Sequence, residues 1–223
     1  MTKKTLITLF GFFLCTILFA QDKSKLDKNL ISILDTIFNK DQNQLNEIYR
    51  IHDEFGFDSN ENEEANEVYR KNHLVHLNKI ETILKERGWL GADIVGDQGN
   101  ETFFLIIQHS ELEIQLKYLP MMREAARRGD VVPRNLAHLE DRIASKTEKL
   151  QVYGTTLKRY PESGIIDVWP IIDPENVDKR RTSVGLEPIA EVLKNRFELN
   201  WNLEKQIERS KRFKEKNSGI NKD

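Results

Sequence analysis

The sequence has almost no cysteine: among its 223 residues, Cys15 is the only one. It lies in an uncharged, mostly apolar stretch, residues 5–17, which follows Lys3 and Lys4 and precedes Ala20. A basic start, a short apolar run and a small residue before polar ones are typical of a secretory signal peptide. We therefore expect residues 1–20 to be cleaved. The mature protein would then have no disulfide, no thiolate metal site and no thiol nucleophile.

The sequence also has no marked excess of either charge. It contains 34 lysines and arginines against 36 aspartates and glutamates, and removal of Lys3 and Lys4 would shift this balance further toward acid. A nucleic-acid or anionic-membrane binder usually carries a basic excess. We therefore expect a soluble exported protein, periplasmic or secreted. Neither nucleic acid nor, after cleavage of the signal, a membrane is its predicted partner.

Apolar residues recur at helical spacing along most of the chain, which predicts a mainly α fold. The predicted helices cover residues 23–56 with a bend near 39–43, 63–87, 103–118, 121–128, a segment from Pro133 onward, 173–184 and a last segment from Pro188 to about 209. Two extended segments, residues 157–160 and 165–169, predict a small β-hairpin in the C-terminal third. Residues 21–210 are thus expected to form one helical-bundle-like domain, and residues 211–223 a charged, frayed tail.

Four of the five histidines fall on the inward stripes of their predicted helices. They are His52, His73, His76 and His109, and Asp41 shares this property. A buried imidazole or carboxylate needs hydrogen-bonding partners, so these side chains are expected to form a network or to face a cavity. The first interpretation is a polar layer that fixes the helix register.

Two chemical interpretations stand beside the structural one. His73 and His76, three residues apart on one helical face, have the spacing of a pair of metal ligands. Such pairs are common by chance and no second metal motif accompanies this one, so we predict neither metal nor cofactor. His109, with Glu113 one turn later, is a possible general acid or base near neutral pH, and Asp41 or Asp141 from another helix is its acidic partner.

Several short sequence motifs follow one another along the chain in an order that resembles a known family. They include GWLG at residues 88–91, KYLPMMREA at 117–125, LEDR at 139–142 and DPENVDKRR at 173–181. Together they resemble domain-of-unknown-function family 6624, over about residues 40–200. The resemblance implies recurrent polar positions but no reaction. These positions are Asp41, Gln42, Gln108, His109, Asp141, Arg142, Gln151, Tyr153, Arg180 and Arg181. The family tends to carry Asp and Asn at positions 73 and 76, which weakens the metal interpretation.

Two functions follow as alternatives. The first is an exported helical module that binds a small molecule or a protein partner through a groove near His109, Arg142 and Tyr153. Asp141 also borders this groove. The other predicted ligand-binding residues are Gln108, Gln151, Arg180 and Arg181. The second is a hydrolase-like enzyme that uses His109 and an acidic partner. Convergence of His109, Asp41 and Arg142 in a pocket that solvent reaches would favour the enzyme, and their burial in the core would favour a structural role.

Overall fold

The computed structural model describes residues 25–159 and 166–219, and this part of the chain is mainly helical. Its elements are α1 (Lys28–Phe55), α2 (Asn60–Arg87), α3 (Ala92–His109), α4 (Leu112–Arg128), α5 (Pro133–Lys146), β1 (Leu157–Arg159), β2 (Ile166–Val168), α6 (Val177–Ser183), α7 (Ile189–Phe197) and α8 (Leu203–Gly219). The two strands pair antiparallel, with Leu157 opposite Val168. The predicted fold class is therefore confirmed. The predicted signal peptide lies outside the described residues.

Helices α1 and α2 form a long helical hairpin. The carboxylate of Asp27 caps the first turn of α1, and the hydroxyl of Ser59 caps that of α2, each accepting a backbone N–H three residues later. Gly88 ends α2 in a left-handed backbone conformation that favours glycine. Helix α1 runs without interruption through residues 39–43, where the sequence predicts a bend. That polar patch instead contains Asp41, which faces the interior.

The predicted continuous helix over residues 103–118 is wrong, because α3 ends at His109 and α4 begins at Leu112. Side chains donate hydrogen bonds to the backbone carbonyls that the break leaves without helical partners. The Ser110 hydroxyl donates to the carbonyl of Ile106, and the amide of Gln115 donates to two carbonyls of the preceding segment. Pro120 lies inside α4 and does not start a helix.

The described residues form two apolar cores. The larger one lies among α1 to α5, and its fully buried members include Phe103, Ile107 and Met122. A smaller core joins the hairpin to α6 and α7 through Ile171 and Ile189. In this part of the chain no helix is both long and apolar enough to cross a membrane.

The predicted last helix is two helices in the structure, α7 and α8. The predicted boundary at residue 210 falls inside α8, which continues to Gly219, so residues 211–219 of the tail expected to fray are helical. The contacts that hold this end include two with the segment at 169–171. The ring of Phe213 packs edge-on against Trp169 at 5.3 Å between centroids, and the buried hydroxyl of Ser210 accepts the N–H of Ile171.

Candidate functional site

A cluster of polar side chains joins α1, α2 and the end of α3. We call it the Asp41 cluster; it consists of Asp41, Tyr69, His73, His109 and Ser110. The Tyr69 hydroxyl donates to Oδ1 of Asp41 at 3.1 Å and lies 3.3 Å from Nδ1 of His109. The Nδ1 atoms of His73 and His109 each lie 3.8 Å from one Asp41 oxygen. One buried carboxylate thus faces two imidazoles and a phenol.

The surroundings of Asp41 determine its protonation. Burial by itself raises the pKa of this carboxyl, but the His109 and His73 rings and the Tyr69 hydroxyl outweigh burial and hold the pKa well below its ordinary value. Burial raises the pKa of Tyr69, and the charge of Asp41 raises it further. At neutral pH the cluster therefore holds an ionised carboxylate beside a neutral phenol.

Within the cluster, Ser110, His73 and Asp41 have the order of a catalytic triad but lie in the core. Nε2 of His73 is 3.0 Å from the Ser110 hydroxyl, and that hydroxyl donates to the Ile106 carbonyl at 2.7 Å. Ser110 is 3% exposed and His73 is 6% exposed. Since a substrate cannot reach a sealed hydroxyl, this half of the cluster fits the predicted polar layer.

The predicted His73 and His76 pair is divided between two surroundings. His73 contacts Ser110, whereas His76 borders a groove between α1 and α2 beside Thr36 and Lys40. Among the residues at 25–159 and 166–219, no group of three or more His, Cys, Asp or Glu side chains is arranged to hold a metal ion.

Tyr69 and His109 are both partly exposed, and His109 is the member of the Asp41 cluster that lines a cavity. Its side chain is 23% exposed and lines a cavity of about 610 Å³, which we call the α3–α5 cavity. Residues of α3, α5, α6 and α7, of the segment between α5 and β1 and of the loop after α6 surround it. They include Glu101, Phe104, Leu105, Gln108, His138, Arg142, Gly154, Thr155, Arg181, Glu187 and Val192. Nε2 of His109 has no hydrogen-bonding partner in the described part of the chain. The imidazole therefore stands between Asp41 and the cavity.

Basic residues dominate the charge of the α3–α5 cavity. Arg134, His138 and Arg142 follow one another at intervals of four residues on one face of α5. Arg181 and Arg196 complete the basic lining. Burial, together with the charges of the four arginines, lowers the pKa of His138 to about 4. The imidazole is therefore neutral at pH 7 inside a positive field.

The acidic residues of this cavity are already partnered. Glu101 accepts a hydrogen bond from the Asn135 amide at 2.6 Å, and Glu187 forms an ion pair with Arg196 at 3.1 Å. Neither of these two acids is paired with Arg142.

Asp141 anchors a loop and does not face an imidazole. Its buried carboxylate accepts the backbone N–H groups of Val152, Tyr153 and Thr155 and the Thr155 hydroxyl, at 2.7 to 3.1 Å. Burial raises the pKa of Asp141, and these hydrogen bonds oppose that rise. No acceptor position is left for a catalytic partner, so Asp41 is the acid that stands beside His109.

Gln151, Arg180 and Arg181, which were predicted to bind a ligand, also support this loop. Gln151 bridges the loop to the backbone of Trp169, and Arg180 donates to backbone carbonyls that include that of Val152. The Tyr153 side chain borders a separate depression beside Arg123. Arg181 donates to the carbonyls of Tyr153 and Glu187 and still lines the α3–α5 cavity. Of the predicted set, Gln108, His109, Arg142 and Arg181 meet there.

The histidine prediction is wrong at one position and incomplete at another. His52 is exposed, because it lies at the tip of the α1–α2 hairpin, where its ring packs only against the exposed Phe57. His138, which falls off the predicted stripe, lines the cavity. Sequence reasoning also missed Tyr69 and Arg134. Arg134, His138 and Arg142 are spaced by four residues each, and this spacing is the sequence signal for the face of α5 that lines the cavity.

The fold and these contacts define a class: an α-helical domain in which a buried carboxylate–imidazole cluster adjoins an arginine-rich cavity. The chain belongs to the family of unknown function DUF6624, whose profile matches residues 41–203. The predicted resemblance is therefore confirmed, and the match spans both the Asp41 cluster and the cavity. No curated protein and no solved structure matches the chain significantly.

Proposed function

We propose that the protein binds a small molecule in the α3–α5 cavity. The observation that carries this proposal is a cavity of ligand size whose wall contains polar groups without protein partners. Oε1 of Gln108 is buried and has no hydrogen-bonding partner, and Nε2 of His109 and the guanidinium of Arg142 have none in the described residues. Because unpaired polar groups are costly in a protein interior, a ligand that pairs them gains affinity.

The predicted signal peptide supports a location for this binding. If residues 1–20 direct export, the ligand is a small molecule of the periplasm or of the surrounding medium. Compounds of the cell envelope are therefore the first to test.

A thermal-shift screen of the purified protein against envelope metabolites tests the proposal. A ligand at about one hundred times its Kd adds roughly 2.7 kcal/mol to the free energy of unfolding, so Tm rises by several degrees. Val192→Phe places a larger side chain in the cavity wall and is expected to abolish that rise. Leu74→Phe, at an exposed position of α2, is the matched control and should keep it. The absence of any shift, or an equal shift in Val192→Phe, would contradict binding in the cavity.

We propose hydrolysis as the second candidate function, on one specific observation. Nδ1 of His109 faces the Asp41 carboxylate and the Tyr69 hydroxyl, while Nε2 is unpartnered at the cavity. A carboxylate that orients an imidazole in this way prepares the opposite ring nitrogen to take a proton from water. The convergence of His109 and Arg142 at the cavity, with Asp41 directly behind His109, supports this candidate.

Hydrolysis of nitrophenyl esters and nitrophenyl phosphate tests the second candidate. His109→Gln is expected to lower the rate at least about 100-fold, which is the usual contribution of a general base. His52→Gln, at an exposed position, is the control and should leave the rate unchanged. Full activity in a folded His109→Gln protein, or no hydrolysis of either substrate by the unmodified chain, would eliminate this candidate.

A further inference from the structure

We infer that the ligand of the α3–α5 cavity carries an oxyanion, a phosphate or carboxylate group, that binds to Arg142 beside His109. This inference rests on the proposed binding role of the cavity. It specifies the chemical class of the ligand and the residue that anchors it.

Arg142 differs from the other arginines that the fold partly buries. Arg180 and Arg181 donate to backbone carbonyls, and Arg180 also pairs with Asp173. The Arg142 guanidinium is half-buried but has neither a hydrogen-bond acceptor nor a carboxylate partner among the described residues. Burial lowers its pKa, and the groups that oppose this effect are the phenols of Tyr49 and Tyr69. A partly desolvated charge without a counterion is costly, and an anion would remove that cost.

Arg142 and His109 line the same cavity, and both act on the side chain of Tyr69. Its hydroxyl is 3.3 Å from Nδ1 of His109, and the charge of Arg142 acts on the same phenol. Lys146, one turn after Arg142, is not part of the cavity lining, and its ammonium donates to the Ser110 carbonyl at 3.2 Å. The guanidinium of Arg142 and the imidazole of His109 thus line this end of the cavity.

The acids near this end do not neutralise Arg142. Asp41 lies behind His109 and is engaged by Tyr69 and the two imidazoles. Glu111 is exposed and acts on Lys146. The donors of the planar Arg142 guanidinium are therefore available to a ligand, and their geometry matches two oxygens of a phosphate or carboxylate.

Arg134 is less suited to anchor the anion. It is exposed, so water solvates its guanidinium, and it lies eight residues before Arg142, or roughly 12 Å along α5. The acid Glu101 lies near that end, hydrogen-bonded to Asn135 next to Arg134. The geometry therefore favours Arg142 as the anchor. Arg134 contributes positive charge at the other end of the cavity.

Titration calorimetry with inorganic phosphate alone, at constant ionic strength, tests the inference. The unmodified protein should bind phosphate, and Arg142→Gln should weaken the affinity at least about tenfold, the loss expected when a charge-assisted pair is removed. Arg142→Lys keeps the charge but not the fork and should bind with intermediate affinity, which also covers the case in which the glutamine variant fails to fold. Arg127→Gln removes an exposed arginine of α4 and should bind as the unmodified protein does. Acetate as a second probe distinguishes a carboxylate from a phosphate preference.

The outcomes separate this inference from the proposed function. Equal affinity in Arg142→Gln and Arg127→Gln would overturn the oxyanion site, as would a cavity ligand that is neutral or cationic and binds Arg142→Gln unchanged. In the last case the cavity still binds a ligand and the proposed function stands. A different outcome is that no metabolite in the screen raises Tm, while phosphate still binds in a way that depends on Arg142. That result would contradict the wider binding role and preserve the anion site.

Discussion

Replacement of Asp141 by asparagine is expected to lower the free energy of unfolding by about 3 kcal/mol, because buried N–H donors lose their acceptor. One oxygen of Asp141 accepts from Val152 and Tyr153, and the other from Tyr153 and both donors of Thr155. Asparagine supplies only one of these oxygens. Its NH₂ group must then face N–H or hydroxyl donors that water cannot reach, since Asp141 is fully buried.

Urea unfolding followed by circular dichroism measures this loss. Glu140→Gln is the matched control, because it removes a neighbouring carboxylate of α5 whose partner, Arg123, is half-exposed. A surface pair of that kind contributes at most about 1 kcal/mol. Similar losses in the two variants would show that the loop at 151–156 does not depend on Asp141.

The Asp141 contacts also show why stability and the cavity are connected. The loop that this carboxylate holds supplies Gly154 and Thr155 to the cavity wall. Gly154 has a φ of 69°, and a Cβ there would lie 2.6 Å from Ile189, so the loop fits closely against the smaller core. Arg181 adds a hydrogen bond to the Tyr153 carbonyl. The polar residues that the family resemblance marks in this segment therefore serve mainly to build one wall of the cavity.

The helices could be predicted from sequence where their ends carry local signals. Gly88 ends α2, Gly129 ends α4 and Pro133 begins α5, whereas the start of α2 was predicted at residue 63 and lies at Asn60, after the capping Ser59. The break between α3 and α4 could not be predicted in this way. Leucines before and after Ser110 keep helical spacing across the break, and the contacts that stabilise it, from the Ser110 and Gln115 side chains, leave the apolar pattern unchanged.

The candidate site was predictable where helical register alone determines burial. Asp41 and His109 both lie on stripes that face the bundle core, and the structure brings them together. Tyr69 was missed because periodicity counts tyrosine as apolar and ignores its hydroxyl. His138 was missed because α5 has two packed faces, and the second is covered by segments that come 15 or more residues later in the chain. Such long-range packing has no signature in a local pattern.

His138 is expected to make the protein less stable in mild acid. The ordinary pKa of histidine is 6.5, and burial with the charges of Arg181, Arg142, Arg196 and Arg134 lowers that of His138 to about 4. Between these values the unfolded chain binds a proton that the folded chain does not, so the free energy of unfolding rises with pH across this window. The predicted loss on acidification from about pH 7 to about pH 4 is on the order of 3 kcal/mol.

Comparison of His138→Gln with the unmodified protein isolates this effect. Glutamine does not titrate, so urea unfolding of the variant should show a flatter dependence on pH over the same window. His52→Gln removes an exposed histidine and should retain the slope of the unmodified chain. The lowered pKa of Asp41 also removes stability on acidification, but only as pH falls below the ordinary aspartate value near 4. Equal slopes in His138→Gln and the unmodified protein would mean that neither burial nor the four arginines lowers the pKa of this imidazole, and would therefore also weaken the case for a positive cavity.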